Sequence, residues 1–362
     1  MKALRYHGPK DIRLDNIPEP VVGPKQVKVK IAWCGICGTD LHTYEGHPMP
    51  GITPTATDPH PITGDTLPIV IGHEFSGTIV ELGPRVDTSK YSIGQNVAVV
   101  PLVSCMQGDC PGCSQPDMCN HCTKCWALGM SSGTNGGLAE YAAVNQELVH
   151  VLPPNTSLEV GALIEPLAVV WRAAKRGSIK AGDKVLILGA GPIALLMLHV
   201  ARVFGASWIG VSGRRPVRCE LARKHGASAV FDTTNPGMDV GVETLKATGN
   251  GVDVVVDCAG SQVTLDTALI AVRAGGTIVS LADWQTKPVI DMRIMLYKEI
   301  VLTSSLGYSN DHPEVLKAIA EKRLGDLESL VTQRASLEEF MEKGIMALTR
   351  EKDRHVKVLI HP

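Results

Sequence analysis

Residues 185–194 read VLILGAGPIA, and this stretch decides how the middle of the chain folds. Four apolar residues, Val185 to Leu188, read as a buried strand. Gly189, Gly191 and Ala194 then fall on a G-x-G-x-x-G/A frame, with Pro192 and Ile193 at the first turn of a helix. The first glycine of such a frame makes the turn, the second lets the backbone approach a pyrophosphate, and the small third residue lets helix and strand pack closely. The helix N-terminus offers unpaired N–H groups to the anion. A tight strand–helix turn without a ligand carries the same letters; the strand before it and the helix after it favour a dinucleotide.

The pattern repeats on both sides. Residues 208–212 (WIGVS), 229–232 (AVFD), 253–257 (DVVVD), 277–281 (TIVSL) and 300–304 (IVLTS) read as further buried strands. Residues 192–204 and 214–225 carry helical periodicity between them. This alternation predicts an α/β unit over 157–309, a doubly wound parallel sheet. At the end of its second strand such a fold usually carries an Asp or Glu for the adenosine ribose. Here the chain reads Ser212-Gly213-Arg214-Arg215. The carboxylate is gone, and two arginines can make bidentate contacts with a 2′-phosphate. Cations at a helix start oppose the helix dipole, so they want another reason to be there. The expectation is NADP(H); NAD(H), with the arginines merely solvated, is the alternative.

Residues 1–156 have a different texture. KALRY (2–6), VKVKIAW (27–33), IVIGHEFSGTIVEL (69–82) and NVAVV (96–100) read as strands, and 46–68 as a long proline-rich loop. The 310–362 segment returns to helix and strand and is expected to pack back on this mainly β unit. Six of the ten cysteines crowd into Cys105 to Cys125, with a C-x-x-C at Cys110 and Cys113. In a chain without an apolar leader, clustered thiols point to metal rather than to disulfides, and to a cytoplasmic protein.

Composition excludes other classes. Lys plus Arg number 35 against 37 Asp plus Glu, a net charge of -2, and only Lys124 is basic between Cys105 and Cys125. A zinc-finger-like nucleic-acid binder would lack its phosphate contacts. No run of about 18 apolar residues is present to cross a membrane.

Taken together and in order, CGICGTDLH (34–42), GHEFSGTIVELG (72–83), the cysteine-rich lobe, GALIEPLAV (161–169) and LILGAGPIA (186–194) resemble the zinc-dependent medium-chain dehydrogenases over essentially the whole chain. TGDTLPIVIGHEFSG (63–77), Glu165-Pro166 and ALTREKDRHVKVLIHP (347–362) look most like the (R,R)-butanediol and polyol dehydrogenase branch. The resemblance implies a GroES-like catalytic domain from both chain ends and a Rossmann domain between them. It also implies a homodimer or homotetramer acting on a small-molecule alcohol or ketone.

Carried over by position, Cys37 and His73 match the catalytic zinc ligands, while Glu74 and Glu165 match neighbouring carboxylates, either or both of which touch the metal. Thr39 and His42 match a proton relay. In the lobe, Cys105, Cys110, Cys113 and Cys119 keep the family's overall span and are the expected structural zinc ligands. Cys122 and Cys125 are extra. Gly189, Gly191, Pro192, Ile193, Ser212, Gly213, Arg214 and Arg215 match the cofactor site, and GVSGRRP (210–216) is similar to NADP-dependent secondary alcohol dehydrogenases. The implied reaction is hydride transfer between NADP(H) and a secondary alcohol, vicinal diol or α-hydroxyketone. A sorbitol- or xylitol-type polyol dehydrogenase using NAD is the rival.

Overall fold

The structure, a computed structural model, describes residues 1–49, 51–351 and 353–362. In chain order, β1 (Lys2–Gly8), β2 (Asp11–Asn16) and β3 (Gln26–Gly35) lead to α1 (Gly38–Glu45). Next come β4 (Ile69–Val70), β5 (Glu74–Leu82), β6 (Asn96–Val99), β7 (Leu102–Val103), β8 (Trp126–Ala127), β9 (Tyr141–Asn145) and β10 (Val149–Val151). Helices α2 (Leu158–Ala162) and α3 (Ile164–Arg176) then open a run of alternating elements. These are β11 (Lys184–Leu188), α4 (Pro192–Val203), β12 (Trp208–Gly213), α5 (Pro216–Lys224), β13 (Ala229–Asp232), α6 (Val240–Thr248), β14 (Val252–Asp257), α7 (Gln262–Ala271), β15 (Val272–Ser280), α8 (Met292–Lys298) and β16 (Val301–Ser304). The chain closes with α9 (His312–Ala320), β17 (Val331–Ser336) and β18 (Lys357–His361).

The six strands β11 to β16 form one parallel sheet in the order β13-β12-β11-β14-β15-β16. Val185, Leu186, Ile187 and Leu188 are almost wholly buried because β11 sits in the middle with helices on both faces. The strand order reverses between β11 and β14, and there the crevice at the strands' carboxyl ends opens for a ligand. Gly189 turns the chain into it with φ +108°, a left-handed conformation that costs a glycine nothing. The Rossmann architecture expected from the strand spacing is present.

The remaining strands build a sheet in the order β10-β6-β5-β3-β18-β17, with β9 also on β3, beside a small β2-β1-β4 sheet. The stretch 69–82 is not one strand as its letters suggested. Gly72, at φ +94°, breaks it, so that β4 pairs with β1 while β5 pairs with β3 and β6. His73 lies in that break, between two sheets. The 310–362 segment also divides. Val315 and Ala318 of α9 join the apolar core of α3 and α4, whereas β17 and β18 extend the sheet of β3. Helix α5 starts at Pro216 rather than at Arg214, because proline suits the first turn and leaves Arg215 as the N-cap.

Candidate active site and a second thiol cluster

Two stretches of chain converge at the metal-type residues. Cys37 caps the N-terminus of α1 just after β3, His73 occupies the break at Gly72, and Glu74 opens β5. One ligand atom from each of the three lies within 4.8 Å of the others. His73 and Glu74 are buried, at 5% and 1% exposure.

Asp40, unremarked in the sequence, organises this group. It is the third residue of α1 and is buried. Its Oδ2 accepts the Cys37 backbone N–H at 2.9 Å, and its Oδ1 stands 3.6 Å from His73 Nδ1. Burial opposes a charge on His73, but the Asp40 carboxylate and the Cys37 sulfur prevail and hold its pKa well above the ordinary imidazole value. A ring held in this way from behind by a carboxylate presents its other nitrogen as a metal ligand.

Glu74 meets a cation that the sequence reading also missed. Lys357, on β18, forms an ion pair with Glu74 Oε2 and donates to the Ile36 carbonyl at 3.1 Å. Both side chains are almost fully buried. Gly35 makes this meeting possible, since a Cβ there would overlap the Glu74 carboxylate and the Lys357 stem. The signal in the sequence was a lone charge inside the apolar run 356–360.

Glu165, in the first turn of α3, is half-buried beside this group though not within the three-atom cluster. Burial pushes its pKa up to about 7, against the pull of the His73 charge. The Tyr308 side chain lies beside its carboxylate, and Tyr308 is itself buried, with its pKa raised by burial and by the nearby Glu165. No local sequence signal marked Tyr308. Thr39 Oγ1 lies 3.6 Å from Cys37 Sγ, and His42, one turn further along α1, is exposed. A thiolate, an imidazole and carboxylates, one of them paired to a lysine, make a donor set that fits zinc.

The crevice at β11 is prepared for an anion. Gly191 is extended at the N-cap of α4, and a Cβ there would come no closer than 3.9 Å to anything, the nearest atom being Arg218 Nη1. Ser212 Oγ accepts the Gly189 N–H at 3.3 Å and so braces the turn. Gly213 answers to packing as well as charge, because a Cβ would press on Ala190 and on Cys219 Sγ. Arg214 is exposed, and Arg215 Nη1 is 2.5 Å from Asp353 Oδ1. Arg218, a third arginine not singled out from sequence, donates to the His355 carbonyl at 2.9 and 3.3 Å. Burial and then Arg215 lower its pKa, the mark of cations crowded without full compensation.

The second cluster differs from the one expected. Cys105, Cys110, Cys113 and Cys122 gather their sulfurs within 4.8 Å of one another, and Cys122 stands where Cys119 was expected. Cys119 belongs to the 3-10 helix Pro116–His121, whose outer side meets another part of the chain; its N–H donates to Ser309 Oγ at 3.0 Å. The chain turns after that helix, and the next cysteine closes the group. Cys122 Sγ accepts the N–H groups of Cys105 and Lys124, each at 3.3 Å. Backbone N–H groups of Cys113 and Thr123 bring the Cys110 thiol down to about 5. Four sulfurs so placed fit a closed, structural zinc site.

Comparison with known proteins agrees with this geometry. Residues 23–154 match the alcohol dehydrogenase GroES-like domain, and 192–321 match the zinc-binding dehydrogenase domain. The (R,R)-butanediol dehydrogenase of Bacillus subtilis is 36% identical over 362 residues, covering 100% of both chains. A sorbitol dehydrogenase of the same species is 30% identical over 364 residues, covering 100% of this chain and 97% of its own. The crystal structure of 2R,3R-butanediol dehydrogenase from Bacillus subtilis superposes with a TM-score of 0.90 at 37% identity, covering 100% of this chain and 99% of that one. The chain therefore belongs to the zinc-dependent medium-chain alcohol dehydrogenases, on the branch that holds the butanediol and sorbitol enzymes.

Proposed function

We propose that this oxidoreductase interconverts a secondary alcohol, vicinal diol or α-hydroxyketone with the corresponding ketone, using NADP(H). The observation that carries the reading is the convergence of Cys37, His73 and Glu74 on one point, within a fold whose nucleotide crevice ends in Gly213, Arg214 and Arg215 instead of a carboxylate.

Zinc held by Cys37, His73 and a carboxylate from Glu74 or Glu165 would supply Lewis-acid chemistry, making a substrate hydroxyl more acidic. The chain's own groups do the rest. Asp40 fixes the orientation of His73. Thr39, beside Cys37, takes the hydroxyl proton into a hydrogen bond, and His42 at the exposed end hands it to solvent, a task suited to an imidazole. A bound nicotinamide would supply the hydride acceptor for the carbinol carbon, and loss of that hydride together with the hydroxyl proton would leave a ketone. The N-terminus of α4, with Gly189 and Gly191, would hold the pyrophosphate of the cofactor, and Arg214 and Arg215 its 2′-phosphate.

The working unit we infer joins 1–156 and 310–362 around a nucleotide unit at 157–309. It is a homodimer or homotetramer, because the edge strand β16 and its surroundings expose Val289, Met292, Leu296, Tyr297 and Val301 together. Thiol clusters made for metal suit the reducing cytoplasm.

A panel of diols, hydroxyketones and sugar alcohols run with both cofactors, beside zinc analysis, tests the proposal. Turnover of butanediol- or acetoin-like substrates with NADPH preferred is the expected result. Preference for sorbitol or xylitol with NAD would replace it by the polyol reading, which Glu165 beside the cluster and the sorbitol dehydrogenase relative favour.

A further inference from the structure

The segment between β16 and α9 brings Tyr308 beside Glu165 but has no regular structure of its own. Two neighbours hold it. From within, buried Asp311 accepts the Ser309 N–H at 3.0 Å and meets Lys175 of α3 at 3.0 Å and Arg172 at 3.8 Å. From outside, the 3-10 helix of the thiol lobe grips it. The Cys119 N–H donates to Ser309 Oγ at 3.0 Å, and Asn120 Nδ2 donates to the Leu306 carbonyl at 2.9 Å. Arg172 ties the two neighbours together, with Nη2 3.9 Å from Met118 Sδ.

Asn120 is the unusual member. It is 6% exposed, and its Oδ1 is buried without a partner among the described residues. A half-satisfied buried amide costs stability, so its one donated bond needs a use. Asn120 stands two positions before Cys122, the last sulfur of the four-thiol group. The lobe has little else to define its shape: apart from that helix, its regular structure is the two-residue pair β7 and β8. A loop of this kind takes its form from the metal it binds.

We propose that Asn120 is a positioning residue through which the thiol lobe, once loaded with metal, holds Tyr308 against Glu165. The lobe's metal thereby governs the geometry of the catalytic centre as well as local folding. This rests on the reading of Cys37, His73 and Glu165 as that centre.

The test uses the full-length enzyme with cobalt(II) in the catalytic position and zinc in the lobe, so that visible absorption reports the catalytic coordination directly. Wild type, Asn120→Ala, Tyr308→Phe and the double variant are compared for absorption, metal content, kcat and KM. Asn120→Ala is expected to keep both metals, lose about tenfold in kcat, as outer-shell changes do, and shift the cobalt spectrum as Tyr308→Phe does. The double variant is expected to match Tyr308→Phe alone, because the two residues act through one contact. If Asn120→Ala does not fold, Ser309→Ala deletes the neighbouring bond and is expected to give the same shift in smaller measure. An unchanged spectrum and kcat with only a lowered melting temperature overturns the inference, as does strict additivity in the double variant. A wild-type enzyme that takes no cobalt beside Cys37 would instead overturn the parent reading, and this inference with it.

Discussion

Asp40 Oδ1 stands 3.6 Å behind His73 Nδ1, while the other oxygen of the same carboxylate receives the N–H of Cys37. One side chain therefore orients both the imidazole and the start of the helix that bears the thiol. Asp40→Asn keeps the shape and removes the charge. It should weaken metal binding at this site by about 10- to 100-fold, the usual cost of losing such a support. Competition with a chelator reads this directly, and unchanged affinity would remove Asp40 from the account.

The Lys357–Glu74 pair is buried on both sides. Removing one partner strands the other, so Lys357→Met should cost about 3–5 kcal/mol in urea unfolding. Adding Glu74→Gln to it should recover part of that loss, since no lone charge remains. A double variant less stable than Lys357→Met would contradict the pairing.

Arg215 is engaged by Asp353 at 2.5 Å, so the 2′-phosphate of the proposed cofactor would have to compete with that carboxylate. Asp353→Asn should tighten NADPH while leaving NADH unchanged. Arg215→Ala should weaken NADPH, and Arg214→Ala should do so as well, each by more than it weakens NADH. Fluorescence titrations with the two cofactors decide the matter; parallel changes in both affinities would end the specificity claim.

In the lobe, Cys122→Ser should lose one metal per chain, while Cys119→Ser should retain it, because Cys122 belongs to the four-sulfur group. Metal analysis of the two purified variants gives a yes-or-no answer. The reverse pattern would restore the ligand set expected from spacing.

Buried His199 supplies a pH dependence. Burial, reinforced by nearby His225, holds its pKa down to about 4. An unfolded histidine titrates near 6.5. Between these values the unfolded chain takes up a proton that the folded chain refuses, so acidification favours unfolding. From pH 6.5 to 5 this residue should remove about 1–2 kcal/mol of stability, and the loss should level off below about pH 4. Urea titrations of His199→Gln should show a shallower slope over the same span; an equal slope would count against it.

The parallel sheet was legible because its central strands, β11 and β14, are largely apolar runs that lead into helices, a local signal that burial on both faces enforces, whereas β16 at the edge is partly exposed. Cys37, His73 and Glu74 were legible as residue types, but their meeting depends on the break at Gly72 and on pairing between β3 and β5, which no local spacing encodes. Lys357 and Tyr308 lie more than 100 residues from the groups they serve, on elements whose letters announce only strand and loop. Cys119 and Cys122 could not be told apart by counting, because the helix between Cys113 and Cys122 takes up extra residues.

The partnership of β18 with β3 has a consequence for biosynthesis. Cys37, His73 and Glu74 leave the ribosome early, but the cation that neutralises Glu74 emerges some 283 residues later. Until that strand docks, the centre holds an uncompensated anion and resists burial. Nascent and shortened chains are thus denied a finished reaction site, and maturation waits on the slowest kind of contact, one between distant stretches of chain.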